Sequence, residues 1–366
     1  MRADRYTRHA LVLAATAGLL TITAYASAAV AGPVSVSSRG GGTPAAAPGW
    51  RTIKTIGPAT GNVAGLLTAD SATDAWSVWA GPGIALVERW NGSAWQRVAL
   101  PAKFNSYVHD AVAISASSAA SAWLFNGSHT ALRWTAAGWH YQALPSWVKP
   151  VNSVAFGAGD VWVFGTGTVA ARYNGHSWAK VTLPEPATVI SAVAANDIWA
   201  LGPSISYVMR WNGASWVKVG LPLLPLPAGA TLSYEGMTAT GPSDAWLFRA
   251  ILFPNSNIPE TAVLHWNGKA WPTIPGPSDI GGSMASDGSG GLWVNGIDIN
   301  PGGFWLLYHW SAGHWTTSEP PSPMFSHAQE ALTWIPGTRS VWSAGPGLNP
   351  ANPRKIYEGV IAKWGP

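Results

Sequence analysis

The phrase RWNGSAW at residues 89–95 returns as RWNGASW at 210–216 and HWNGKAW at 265–271. It belongs to a longer period built on three aromatic anchors in fixed order. The first is a tryptophan after a small or apolar residue: Trp76, Trp123, Trp162, Trp199, Trp246, Trp293 and Trp342, spaced 37 to 49 residues apart. The second is an aromatic after a basic residue: Trp90, Trp134, Tyr173, Trp211, Trp266, Trp310 and Trp364. The third lies five residues further on: Trp95, Trp139, Trp178, Trp216, Trp271 and Trp315. With Trp50 added, the scheme accounts for 20 of the 24 tryptophans, so their abundance is architectural.

Each period reads as four short strands bounded by Gly, Pro, Asn and Asp. Strand A is a small-apolar run such as AVAISAS (111–117) or NSVAFGA (152–158). Strand B carries the first anchor, as in DAWSVWA (74–80), and strand C ends at the second, as in ALVERW (85–90). Strand D begins at the third, as in WQRVALP (95–101), and its Leu-Pro stops the pairing because proline donates no ladder bond. In WNGSAW the Asn-Gly is expected to supply the positive-φ positions of a tight C-to-D hairpin. Four strands per period, repeated, predict an all-β, seven-bladed β-propeller with four-stranded blades over residues 49–366.

The two ends of the chain complement each other. Seven B and seven C strands are present, but only six D strands lie between them, and the chain stops at AKWGP (362–366). The missing D strand stands at the other end: GWRTIKTIGP (49–58) matches AWQRVALP (94–101), with Trp50 as its anchor. The N-terminal strand is therefore expected to complete the last blade beside 356–364, with Trp50 near Trp364. These D-x-W and W-N-G-x-x-W repeats resemble secreted bacterial β-propeller proteins of the broad kelch-like and Asp-box (BNR-like) kind. SDGSGGLW (286–293) is similar to an Asp-box, with Leu292 where Thr is usual. The W-D dipeptide of WD repeats is missing, and Gly-Gly doublets are not regular. Such folds host lectins, hydrolases, oxidases and passive scaffolds, so the resemblance implies no one activity.

Residues 1–31 read as a signal peptide. Arg2, Arg5 and Arg8 precede an apolar run, and A-x-A sites end at Ala28 and Ala31. That run is shorter than the ~20 residues a spanning helix needs, and no later segment reaches that length, so the mature form is expected to have no membrane span. Residues 32–48 are rich in Gly, Ser, Pro and Ala and read as a flexible linker. The expected location is secreted, extracellular. The absence of cysteine excludes a lipidated N-terminal Cys and any disulfide. The net charge is +4, and removing the leader takes three arginines and one aspartate with it. What remains is nearly balanced, without a Lys/Arg cluster, which argues against a nucleic-acid partner.

Repeated polar residues are read as architecture. The residue before each second anchor is Arg89, Arg133, Arg172, Arg210, His265, His309 or Lys363. A place filled in every blade favours a contact between blades, an Arg stem on a neighbouring Trp or a pair with an Asp. Asp74, Asp160, Asp197 and Asp244 stand two residues before a first anchor, with Ser121, Ser340 and Gly291 in the other blades. They read as turn residues bonding backbone N–H groups.

Residues that break the repeat carry the functional information. In a propeller the B-to-C and D-to-A loops share one face. B-to-C loops lengthen in blades five to seven (249–261, 295–305, 344–357), and the D-to-A connections 101–110, 222–235 and 320–330 are also long. Insertions on one face of a repeat array build its binding surface. That face carries the unrepeated His109, Asp110, Tyr234, Glu235, Glu260, Asp298, Trp305, His327, Glu330, Arg354 and Tyr357, with Trp147 and Trp79 also outside the anchor scheme. Trp147, Tyr234, Trp305, His327, Arg354 and Tyr357 are the candidate ligand-binding residues.

No metalloprotease, nucleophile-elbow, phosphate-loop or EF-hand pattern occurs, and the sequence points to no cofactor and no metal. The first reading is a monomeric binding or scaffold module for extracellular polysaccharide or protein. The alternative is a polysaccharide hydrolase with a carboxylate pair drawn from Asp110, Glu235, Asp298 and Glu330. A third is a surface structural protein without a small ligand.

Overall fold

Each period of the sequence becomes one sheet. A computed structural model describes residues 48–57, 64–81, 84–256, 259–277, 280–297, 305–319, 331–347 and 358–365. Among these residues, 28 strands pair into seven antiparallel four-stranded sheets. Six sheets run A to D without a break in the chain. In the seventh, Gly49–Ile56 pairs with Glu358–Gly365, followed by Val341–Gly347 and Ala331–Trp334. The register sets Trp50 opposite Trp364, so the N-terminal strand supplies the missing D strand. Innermost strands of successive blades contact one another in an unbroken circuit, including the first blade on the last. Serine side chains peg several of these contacts. The Ser191 hydroxyl accepts from Ala239 N at 2.8 Å and that of Ser283 from Leu332 N at 3.1 Å, while Ser153 donates to Ser115 at 3.2 Å.

The core lies between blades. A B strand is covered on both sides, so it reads as a nearly continuous buried run, as in DAWSVWAG (Asp74–Gly81). All seven first anchors are at most 1% exposed. Each reaches out of its own blade into a V formed by the second and third anchors of the next. Trp76 meets Trp134 and Trp139 edge-on at 5.8 and 6.0 Å. Trp162 meets Trp211 and Trp216 at 5.1 and 6.1 Å, and Trp342 of the last blade meets Trp90 and Trp95 of the first at 5.0 and 5.2 Å. Edge-to-face pairs contribute about 0.5–1.5 kcal/mol each beyond area burial. At the closing junction the V around Trp293 is made by Trp50, at 5.3 Å, and Trp364, at 5.1 Å.

The basic residue before each second anchor works mainly within a blade rather than between blades. Strand register sets it directly opposite the first anchor of its own sheet, as Arg89 faces Trp76 and Arg210 faces Trp199. The guanidinium lies over that indole, 5.1 Å from the ring centre for Arg172 on Trp162 and 5.3 Å for Arg210 on Trp199. His265 and His309 stack flat on Trp246 and Trp293, at 3.7 and 4.2 Å. The expected pairing with aspartate holds, also within a blade: Arg89–Asp74 at 2.5 Å, Arg172–Asp160 at 2.9 Å, Arg210–Asp197 at 2.7 Å and His265–Asp244 at 2.7 Å. The aspartates are thus ion-pair partners more than turn caps. Blade six, with Gly291 in that place, draws Asp287 from four residues earlier. Its carboxylate accepts from Ser289 N, at 2.7 Å, from Gly291 N, at 2.8 Å, and bonds His309 at 2.9 Å.

The Asn-Gly turn also differs from expectation. In blades one, three, four and five only the glycine has positive φ: Gly92 (+93°), Gly175 (+94°), Gly213 (+93°) and Gly268 (+88°). The asparagine instead turns its side-chain oxygen onto the backbone, as Asn91 Oδ1 accepts from Ser93 N and Ala94 N at 3.0 Å each. The loop therefore spans four residues between the paired Trp90 and Trp95. A two-residue turn with both positions at positive φ occurs in blade six, at Ala312 (49°) and Gly313 (83°).

Two connections fold further than their sequence suggests. The connection 101–110 forms a 3-10 turn, Ala102–Phe104, and a short α-helix, Asn105–His109, whose Phe104, Tyr107 and Val108 are buried against blades one and two. In blade five, much of what reads as loop is strand. Its A strand runs Thr231–Gly241 and its B strand Asp244–Leu252, with Ile251 opposite Glu260.

Candidate functional site

Antiparallel order gives each blade two ends. The A-to-B and C-to-D turns lie at one, where indoles, cations and carboxylates pair with each other. The B-to-C and D-to-A loops lie at the other. There, one register position shows how far the blades diverge. Three residues beyond the first anchor stand Trp79, Asn126, Gly165, Gly202, Arg249, Gly296 and Gly345. Strand alternation turns this position toward the preceding blade: Ala245 and Leu247 pack there with blade four, whereas Trp246 and Phe248 pack with blade six.

At Gly165 and Gly202 a neighbour takes the space. Glu185, from the connection between blades three and four, occupies the place a Cβ on Gly202 would need. It is 8% exposed; Oε2 accepts from Ser204 N at 3.1 Å, and Oε1 is buried without a partner. Burial pushes its pKa up. In blade one Trp79 fills its own place, fully buried against Gly65 and Gly359 and donating to Ser77 Oγ at 3.0 Å. Trp79 is therefore core, not part of an exposed surface.

Arg249 is the exception. It is 6% exposed, yet it makes no hydrogen bond among the described residues, and its Nε is buried without a partner. Its ionic contact is Glu260, 3.8 Å away and with a side chain 60% exposed. Directly opposite on the A strand is Tyr234, whose buried hydroxyl also lacks a partner. Burial pushes the Tyr234 phenol up, although the Arg249 charge pulls the other way. Facing them from blade four are Val189, Leu201 and Leu221. The connection from blade four to blade five crosses this junction, with Gly229 against Pro254. On the same end, Ile205 is 47% exposed and Leu223 85%, and Leu221 N donates to Ser206 O at 2.8 Å, joining the two loops.

The residues singled out in the sequence are spread around the ring. Trp147, 38% exposed, lies in the connection from blade two to three, with the Lys180 ammonium 5.9 Å from its ring centre. Tyr234 is half-buried beside Arg249. Trp305 opens the C strand of blade six, opposite Ile297. His327, Arg354, Tyr357, Asp298 and Glu330 lie outside the described residues. Asp110 follows the short helix that leads into blade two, and Glu235, bonded by Ser233 Oγ at 2.9 Å, is on blade five. These two carboxylates are three blades apart. Arg249 is the residue that sequence reasoning passed over. Its signal was present, because four of the seven blades carry glycine in its place.

A groove of about 240 Å³ lies at the opposite end, between the outer strands of blades one and two, lined by Arg89, Gln96, Arg97 and Trp134 among others. Arg89 is already paired with Asp74 there. Among the described residues, no group of three or more His, Asp or Glu could hold a metal ion, and no helix is long and apolar enough to cross a membrane.

No family model matches the chain. No curated protein matches it either. Solved structures do, by fold. YCF48 bound to D1 peptide is similar with a TM-score of 0.56 and 13% identity, over 86% of this chain and 96% of that one. YCF48 from Cyanidioschyzon merolae gives 0.58 at 13% identity, over 86% and 98%. The WD40 β-propeller domain of Doa1 gives 0.53 at 8% identity, over 86% and 97%. At these identities the likeness establishes the fold alone: the chain is a seven-bladed β-propeller.

Proposed function

We propose that the protein is a binding module that holds an extended segment of a partner protein across the loop end of blades four and five. The observation that carries this reading is the unrepeated set at that end of the two blades: exposed Ile205 and Leu223, and a buried arginine whose Nε has no partner among the described residues. Aliphatic side chains this exposed mark contact surfaces when they cluster on one face. A structure with the same fold, YCF48, is known with a peptide bound, which supports peptide recognition as a use this architecture accommodates. The leader-like residues 1–31 support action outside the cell, and the D-x-W repeats support a place among secreted bacterial propellers of the kelch-like or Asp-box kind.

The test is selection of peptides from a random displayed library on the purified protein, repeated on Ile205→Asp and Leu223→Asp. The expected outcome is enriched peptides whose binding falls at least tenfold in both variants, with unchanged melting. Peptides that bind both variants as well as the parent would place the surface elsewhere.

Trp147 favours a second reading, polysaccharide binding, because an exposed indole offers the flat apolar face that stacks on sugar C–H groups. Retention on polysaccharides without sugar release, lost in Trp147→Ala, would carry that reading forward instead.

A further inference from the structure

A guanidinium has five N–H donors and cannot discharge itself by losing a proton. Burying one without hydrogen bonds is costly, so such groups are normally tied to a carboxylate. In this ring the other arginines next to anchors follow that rule or lie nearer to solvent. Arg210, for example, bonds Asp197 at 2.7 Å. Arg249 does not. It is 6% exposed, has its Nε unpartnered, and is accompanied only by Glu260 at 3.8 Å, beyond hydrogen-bond reach. The hydroxyl facing it across the strand pair, Tyr234, is buried and equally unused. Nor does the fold require an arginine here, since four other blades carry glycine at the same position.

We infer that the junction of blades four and five is a carboxylate-binding site. In it an acidic side chain or C-terminal carboxylate of a bound peptide takes the Arg249 guanidinium from Glu260 and accepts a hydrogen bond from Tyr234. This rests on the peptide-binding reading above and names the chemistry of the partner. Three observations fix the class. Unused donors on Arg249 and Tyr234 call for an acceptor. Glu260, solvent-exposed and in loose contact with the guanidinium, marks the way in and can swing aside. Glu260 already places one negative charge beside the guanidinium, so a monoanion is accepted where a phosphate dianion is repelled more strongly. The aliphatic Ile205 and Leu223 at the same end suit a peptide better than a uronic acid.

The experiment follows the Nε–H signal of Arg249 by NMR in the full chain, assigned by its absence in Arg249→Met. Titrants are N-acetylglycine, inorganic phosphate and glucuronate at constant ionic strength. N-acetylglycine is expected to shift the signal saturably, with phosphate at least tenfold weaker. Glu260→Gln should tighten N-acetylglycine binding severalfold, and Tyr234→Phe should weaken it severalfold. No response to N-acetylglycine overturns the site. An equal response to phosphate overturns the monoanion class, and a stronger response to glucuronate overturns the peptide partner. Arg249→Met should melt no lower than the parent, because a buried charge held only by a loose contact with the exposed Glu260 is replaced by an apolar chain of similar length. Melting lowered by more than about 5 °C would make Arg249 structural and end the proposal. Loss of library peptides in Leu223→Asp with the N-acetylglycine response intact separates the carboxylate site from the wider peptide surface.

Discussion

The two ends of each blade are built on opposite rules. At the turn end, an indole, a cation and usually a carboxylate recur in blade after blade, and each group meets a partner on its own sheet or the next. At the loop end, a single register position holds tryptophan, asparagine, glycine or arginine. The ring is held by the first end, which leaves the second free to vary. A contact that must fit identical neighbours on both sides tolerates little change, whereas a loop over a blade junction answers only to its local cover.

That division can be broken most directly at an anchor. Trp293→Ala removes the indole clasped by Trp50 and Trp364 and should destabilise by about 3–5 kcal/mol in urea unfolding. Trp147→Ala, at the loop end, should cost less than about 0.5 kcal/mol. Equal losses would erase the distinction.

The ion pairs give the next largest effect. Asp197→Ala strands Arg210 and should cost about 2–3 kcal/mol. Blade two offers the reverse experiment. Ser121 stands where four other blades have aspartate, and the Nε of Arg133 is buried without a partner among the described residues. Ser121→Asp should supply one and raise stability by up to about 1 kcal/mol, read as a shift in urea midpoint.

Acid should release the blade-six turn. Burial alone would raise the Asp287 carboxyl, but hydrogen bonds from His309 and from the Ser289 and Gly291 N–H groups outweigh it and hold it at about 2. A carboxyl lowered on folding stabilises above its unfolded value of 3.8 and loses that contribution as pH falls toward 2. The contribution is about 2 kcal/mol. Unfolding free energy measured between pH 5 and 2 should drop by that much more than in Asp287→Asn.

The smallest effect has the opposite sign. In blade five the Thr240 hydroxyl donates to Asp244, whereas the same bulge position in blade one is Asp70, beside Asp74. Burial and then the Asp74 carboxylate push Asp70 up to about 6. A carboxyl raised on folding stabilises fully below its unfolded value and loses that contribution as pH rises through 6. The parent should therefore be more stable at pH 5 than at pH 8, a difference that Asp70→Asn should flatten.

The ring, its blade number and its closure were legible in the sequence. Each junction needs large flat groups at fixed places, and only aromatics at those spacings supply them. Trp50 could be matched to Trp364 for the same reason. Which groups a cation touches was not legible. Alternation says that Arg210 points away from Trp211 but not that Trp199 lies under it; that follows from cross-strand register. Strand extension in blade five was hidden because RAILFPNSNIPET carries the prolines and asparagines of a loop. Tyr234 and Glu260 stood out as breaks in the repeat, but Arg249 became a candidate only once burial showed its Nε without a partner and its charge in loose contact with Glu260 alone.

The closing strand has a consequence for how the molecule is made. Arg51 donates to Gly365 O across 314 residues of chain, so the strand of the ring that is made first is the last to find its place. Until Glu358–Gly365 is available, Gly49–Ile56 carries an unpaired edge and Trp293 lacks its clasp. A neighbouring nascent chain presents the same strand at the same time. Ring closure is therefore a race between a slow intramolecular search and capture by another copy, and high local concentration favours swapped or linear assemblies over the single ring.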